Sequence, residues 1–248
     1  MGDIRVGIGG WVFAPWRGTF YPPGLKQAGE LDYASRHVTS IEINGTFYGA
    51  QKPASFRRWH DETPEGFVFS VKGPRYATHR RALAESASSI ERFFDSGVLE
   101  LGGKLGPILW QFPATTKYDE ANFAAFLDLL PKKAGGRTLR HVLEVRHDSF
   151  ADPGFAALLR RHKAALALID AENQTAFDEA TADFAYMRLK RAAEDVPTGY
   201  TPKALDAWVA RARQAAKSRD CFVYVINGAK IRAPAGAMAL IERLAGSS

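Results

Sequence analysis

The chain has 248 residues, with 33 Lys and Arg against 27 Asp and Glu, a net charge of +6 and a pI near 9.4. That length suits one barrel-sized domain, read here as spanning 1–248, and no apolar run is long enough to cross a bilayer. A single cysteine, Cys221, excludes an intrachain disulfide and fits a reducing cytosol; the opening residues show no basic stretch followed by an apolar block, so a cytoplasmic protein is expected.

In chain order, a short apolar strand, a loop and a helical stretch recur. IRVGIG (4–9) reads as the first strand, followed by a long aromatic loop (11–24) and a helix over 25–37. VTSIEINGTFYG (38–49) is a buried strand that ends in polar residues and an Asn44-Gly45 turn; a helix begins at Pro53. FVFSVK (67–72) is strand three, with a helix predicted over 85–101, and GPILWQFP (106–113) is strand four, closed by Pro113. A helix over 118–131 has Asp119 as cap. HVLEVRH (141–147) is strand five with its helix at 152–162, and AALALID (164–170) is strand six, whose polar connection over 171–182 is too short for a full helix. DFAYMRLK (183–190) is strand seven. The helix over 201–219 has Thr201 as cap and Pro202 at its first position, CFVYVIN (221–227) is strand eight, and a last helix covers 234–244.

Eight strands alternating with helices predict an α/β fold with parallel strands, a (β/α)8 TIM-barrel-like domain with some irregular or shortened helices. An open doubly wound sheet is the alternative, but GIGGW after strand one lacks the G-x-G-x-x-G spacing of a phosphate-binding loop.

Side chains alternate across a strand, so with the apolar set packed under the helices the other set faces the barrel interior. That set is Gly7 and Gly9, Glu42 and Asn44, Ser70 and Lys72, Gln111, Glu144 and Arg146, Asp170, Tyr186, Arg188 and Lys190, and Asn227. Most of these polar residues lie at the C-terminal strand ends, where barrel enzymes keep their chemistry. A dozen polar groups kept for structure alone would be poor stabilisers beside apolar packing, which favours a ligand site.

The chain resembles the domain of unknown function 72 family, the YecE-like proteins. The resemblance rests on G-G-W at 9–11, W-R-G-x-F-Y-P at 16–22, E-I-N-x-T-F-Y at 42–48, P-E-G-F-x-F-x-V-K at 64–72, T-H at 78–79, L-G-P-I-L-x-Q-F-P at 105–113, E-x-R-H-x-S at 144–149, Asp170, Y-x-R at 186–188 and V-Y-x-x-N at 223–227. It covers nearly the whole chain and implies a TIM-barrel-like fold without an established activity. Comparison with endonuclease IV and xylose isomerase barrels is an analogy of fold alone. The chain departs from the family pattern at Gly9, usually Ser, at Lys190, usually His, and at Gly228, usually Asn.

Glu42 and Glu144 are the candidate acid–base pair, as glycoside hydrolysis or isomerisation would need, with Asp170 a third catalytic candidate. The structural alternative pairs Glu144 with Arg188 and Glu42 with Lys72. Lys72, Arg146, Arg188 and Lys190 would crowd a cation, and His147 alone among the histidines lies near a strand end, so neither a metal nor another cofactor is expected. Trp11, Asn44, Tyr48, His79, Gln111, His147 and Asn227 complete the ligand-binding candidates, and the rim aromatics suit stacking on a sugar or base. The expected partner is a small anionic or sugar-like molecule, acted on by a hydrolase, lyase or isomerase or simply bound by a non-catalytic barrel. The basic surplus also admits a nucleic-acid-binding or endonuclease IV-like barrel, but the bases are scattered as pairs such as Arg57-Arg58 and Arg160-Arg161, typical of solvated helix faces. No membrane partner is expected.

Overall fold

The computed structural model describes residues 1–172 and 174–246. Eight strands close into a barrel: β1 (Ile4–Gly9), β2 (Ser40–Ile43), β3 (Val68–Lys72), β4 (Leu105–Gln111), β5 (His141–Glu144), β6 (Ala165–Asp170), β7 (Phe184–Leu189) and β8 (Asp220–Val225). Each is hydrogen-bonded in parallel to its sequence neighbours, and β8 returns to β1. A small hairpin, Lys133–Ala134 with Arg137–Thr138, lies outside the barrel before β5.

The alternation of side chains produces two separate cores. Val6, Ile8, Ile41, Phe69, Leu143, Leu168 and Val223 pack outward beneath the helices. Leu109, Val142, Ala165, Ala167, Ile169, Phe222 and Tyr224 fill the inside. Each buried aliphatic or Phe side chain contributes about 1.5–3 kcal/mol, and a one-residue slip would turn Glu42, Lys72 or Arg188 into the apolar layer beneath the helices, so the register of those strands is strongly specified.

Most helices follow the sequence reading. Asp119 caps the helix Glu120–Leu129 by accepting from the Asn122 N–H at 2.8 Å, and Thr201 caps Pro202–Ala216 by accepting from the Ala204 N–H at 3.3 Å. The helix predicted over 85–101 is shorter: it runs Ala87–Asp95, Gly97 turns left-handed at φ 94°, and a 3-10 stretch, Val98–Lys104, follows. The helix predicted over 25–37 shrinks to Glu30–Ser35 after one 3-10 turn. Between β6 and β7 no helix forms among the described residues; Asn173 lies outside them. There Thr181 Oγ1 accepts from the Leu166 N–H at 2.9 Å and ties the connection to β6.

Gly7 shows why β1 carries no inward side chain. A Cβ built on it would stand 2.0 Å from the Ser40 carbonyl oxygen and 3.2 Å from the Tyr224 ring. The first contact is backbone on a paired strand and cannot rotate away. Gly7→Ala is therefore expected to part β1 from β2 and cost at least about 3 kcal/mol, measured by urea denaturation; a loss below 1 kcal/mol would show that the strands separate freely.

Candidate functional site

Glu42 stands at the C-terminal end of β2 and Glu144 at that of β5, and neither side chain is exposed to solvent. Between them lies Arg188 of β7, also buried. Its Nε donates to Glu42 Oε2 at 2.9 Å and its Nη2 to Glu42 Oε1 at 2.8 Å, a two-pronged pairing, while Nη1 donates to Glu144 Oε2. Tyr186, two residues earlier on the same face of β7, donates its hydroxyl to Glu42 Oε2 at 2.6 Å and lies 2.7 Å from Ser70 Oγ. The other oxygen of Glu144 accepts from Lys190 Nζ at 2.6 Å, Gln111 Nε2 at 2.8 Å and Arg146 Nη2 at 2.9 Å. Gln111 in turn accepts from Lys72 Nζ at 2.7 Å, and that ammonium sits 3.7 Å from the centroid of the Phe47 ring. One continuous network thus joins β2, β3, β4, β5 and β7 across the barrel mouth.

Its electrostatics are one-sided. Burial alone would raise the Glu42 carboxyl, but Arg188 and the Tyr186 hydroxyl hold it below the usual carboxylate range. Burial is likewise overcome at Glu144 by the charges of Arg188, Lys190 and Arg146. Both glutamates therefore stay ionised at neutral pH, and Arg188 stays a cation, its burial outweighed by the two carboxylates. The lysines are pushed the other way. Burial, and then the Arg188 charge, lowers Lys72 to about 8; burial lowers Lys190 to about 8 against the pull of Glu144. Four cationic side chains meet two carboxylates here. With both lysines protonated, the mouth holds a surplus of two positive charges.

The site brings together Glu42, Lys72, Gln111, Glu144, Arg146, Arg188 and Lys190. Of the two ion pairs in the structural alternative, Glu144–Arg188 forms but Glu42–Lys72 does not, because Arg188 also occupies both Glu42 oxygens and Lys72 turns to Gln111. Asn44 lies at the rim, its amide donating to the Glu42 carbonyl at 3.2 Å. Asp170 does not face inward. Ala165, Ala167 and Ile169 are the interior residues of β6, which places Asp170 on the helix side, where it accepts from the Tyr200 hydroxyl at 2.9 Å and lies 3.7 Å from Arg191. Asn227 is displaced for the same reason: Phe222, Tyr224 and Ile226 are the inward residues of β8 and its continuation, and Asn227 is exposed beyond the strand end.

The histidines serve local structure. Strand β5 ends at Glu144, and His147 Nδ1 accepts from the Ser149 N–H at 3.1 Å, capping the turn Asp148–Phe150. His79 is exposed, with Nδ1 3.1 Å from Thr78 Oγ1 and its ring edge-on to Phe47; burial and then Arg75 lower its pKa. Tyr48 is 69% exposed and touches Phe47 edge-on. Trp11 packs edge-on against Trp59 at 5.1 Å and lines a cleft beside Asn44.

Two hydroxyl pairs deepen the polar layer. Ser70–Tyr186 touches Glu42 directly; Ser40–Tyr224, at 2.7 Å, lies one layer below. Ser70 and Tyr186 follow from alternation, as inward neighbours of Lys72 and Arg188. Ser40 and Tyr224 are legible by the same count, two residues before Glu42 and between Val223 and Val225. At the family departures, Gly228 bridges Ala192 with φ 81°, leaving no room for a Cβ 2.3 Å from the Ala192 oxygen, and Lys190 takes part in the Glu144 network.

Among the described residues no helix is long and apolar enough to cross a membrane. The chain is 29% identical over 157 residues to the UPF0759 protein YunF of Bacillus subtilis and 30% identical over 154 residues to the UPF0759 protein YecE of Escherichia coli. Each match covers 61% of this chain and 54% or 51% of the relative, so the chain spans about half the length of the curated relatives it matches. The fold is shared with the crystal structure of a DUF72 family protein from Thermotoga maritima, with a TM-score of 0.80 and 21% identity over 98% of this chain and 99% of that one. The model of the family described as protein of unknown function DUF72 matches residues 5–248, and the chain belongs to that family.

Proposed function

We propose that the barrel mouth binds the anionic group, phosphate or carboxylate, of a small metabolite. One observation carries this reading: four cationic side chains converge on two carboxylates at the C-terminal strand ends, and Arg188 already bridges both carboxylates. A buried guanidinium in that bridging position repels a divalent cation, whereas the surplus charge of Lys72, Arg146 and Lys190 attracts an anion. Arg146 and Lys190, with side chains 31% and 10% exposed, are the groups an incoming ligand meets. Glu42 and Glu144, held ionised by their partners, suit the role of anchors that fix these cations better than that of proton donors, which need a pKa near the working pH.

Phosphate at a hundred times its Kd is expected to raise the melting temperature by roughly 5–10 °C at pH 7, since a ligand bound only by the native state adds about 2.7 kcal/mol at that excess; zinc should add nothing. The pH dependence follows from the lysines. Both titrate near 8 in the folded protein, below the ordinary 10.5. Between those values the unfolded chain binds more protons, so the unliganded protein gains stability from these groups as pH rises from 8 to 10.5. Their loss of charge weakens the anion site over the same range, so phosphate protection should be full at pH 7 and strongly reduced at pH 9.5. A melting temperature that responds to zinc and not to phosphate would refute the proposal.

A further inference from the structure

Beside the charged network lies a second, differently built feature. A cleft of about 300 Å³ opens between the ends of β1 and β2, lined by Gly10, Trp11, Asn44, Gln51, Trp59 and Lys230. It adjoins the network through backbone: Gly9 pairs with Glu42 across β1 and β2, the Gly10 N–H donates to the Glu42 carbonyl at 2.9 Å, and Asn44 donates to the same oxygen. Trp59 is 7% exposed, and its indole N–H is buried without an acceptor among the described residues. Buried indole N–H groups usually find a partner. Lys230, held over the Phe13 ring at 4.8 Å, forms no ion pair among the described residues. The amide oxygen of Asn44 accepts no hydrogen bond among the described residues, and the Gln51 amide makes only a 3.5 Å contact to the Gly49 carbonyl. The cleft therefore combines an edge-to-face aromatic pair with a cation and two amides whose hydrogen-bonding capacity is largely unspent.

We infer that this cleft is a subsite for the polyhydroxylated ring of a sugar, placed so that the ring's anionic substituent reaches the cation cluster. The inference rests on the anion-binding reading for the second half of that statement. The half-buried Trp11 indole can pack against the C–H face of a sugar ring, and the ring's hydroxyls both donate and accept, as Asn44, Gln51 and Lys230 require. The volume lies at the lower end of the range of about 300–1,000 Å³ typical of small-molecule sites and suits one ring. No side chain at Gly9 narrows the floor: a Cβ there would come within 3.2 Å of Ile226 and 3.3 Å of the Asn44 amide.

Calorimetric titration with glucose 6-phosphate, ribose 5-phosphate, inorganic phosphate, glucose and ribose tests this. At least one sugar phosphate is expected to bind at least tenfold more tightly than phosphate. Trp11→Leu should abolish that advantage while leaving the phosphate Kd unchanged. Lys230→Gln, a partly exposed position where misfolding is not at issue, should reduce the advantage at least threefold. If phosphate binds but neither sugar phosphate binds more tightly, or if both variants weaken phosphate and sugar phosphate equally, the subsite is refuted and the anion reading stands. If phosphate fails to bind while glucose or ribose binds and Lys230→Gln weakens it, the anion reading fails and the sugar subsite stands. Binding of none of the five refutes both.

Discussion

Replacing Arg188 with Met is expected to cost about 3–5 kcal/mol of folding stability at pH 7.5, the range for removing one partner of a buried charge pair. The guanidinium satisfies both oxygens of Glu42 and one of Glu144. Without it two buried carboxylates remain, and Glu42 keeps only the Tyr186 hydroxyl as a donor from the network. The pH dependence gives the prediction its sharper edge. In the native protein both glutamates titrate below their ordinary value of 4.5. Their contribution to stability is therefore present above pH 4.5 and is lost as pH falls through the lowered folded values. In the variant burial acts on Glu42 with little to oppose it, raises its pKa and favours the protonated form. The deficit relative to wild type should then be largest at neutral pH and shrink as the variant is acidified towards pH 5. Urea denaturation at the two pH values measures this; a deficit under 1 kcal/mol at pH 7.5, or one that grows on acidification, would show that Arg188 does not hold the network together.

Glu144→Gln probes the same network from its acidic side. The amide preserves shape but removes the charge that faces Lys190, Arg146 and Arg188. Four cationic side chains then face Glu42 as the one remaining carboxylate of the network. We expect the melting temperature in phosphate-free buffer to fall by roughly 10 °C, from a loss of about 3–5 kcal/mol in a chain of this size. An added anion supplies the missing negative charge, so phosphate should raise the melting temperature of the variant by more than it raises that of the wild type. The opposite pattern, in which Glu144→Gln abolishes a stabilisation by zinc and phosphate has no effect on either protein, would identify Glu144 as a metal ligand and overturn the anion reading.

The barrel was legible from local pattern because short apolar strands recur between helical stretches, and in β1, β2, β3 and β7 apolar residues alternate with small or polar ones. Each of the eight segments reads as a strand from its own residues, and their parallel direction follows from the alternation with helices. Glu42, Glu144 and Arg188 were placed on the mouth by the same count. Where that count was applied from the wrong starting residue, at Asp170 and Asn227, it failed: β6 has Ala165, Ala167 and Ile169 inside, and β8 has Phe222 and Tyr224. In both strands nearly every residue is apolar or aromatic, so alternation gives no inner face and the terminal polar residue marks only the end of the strand.

Side-chain partners are another matter. That Arg188 would bridge two glutamates, leaving Lys72 to Gln111 and the Phe47 ring, depends on reach across a closed barrel between residues 44 and 146 positions apart in the chain. No local periodicity encodes such distances. The cleft at Trp59 and Lys230 is further still from any motif, since it joins a helix after β2 to the 3-10 turn Lys230–Arg232 after β8. The order of apolar and polar residues thus determined the strands, their direction and the end of the barrel that carries charge. Closure of the sheet decided which charges meet, because only three-dimensional proximity in a dry interior selects among the pairings that composition allows.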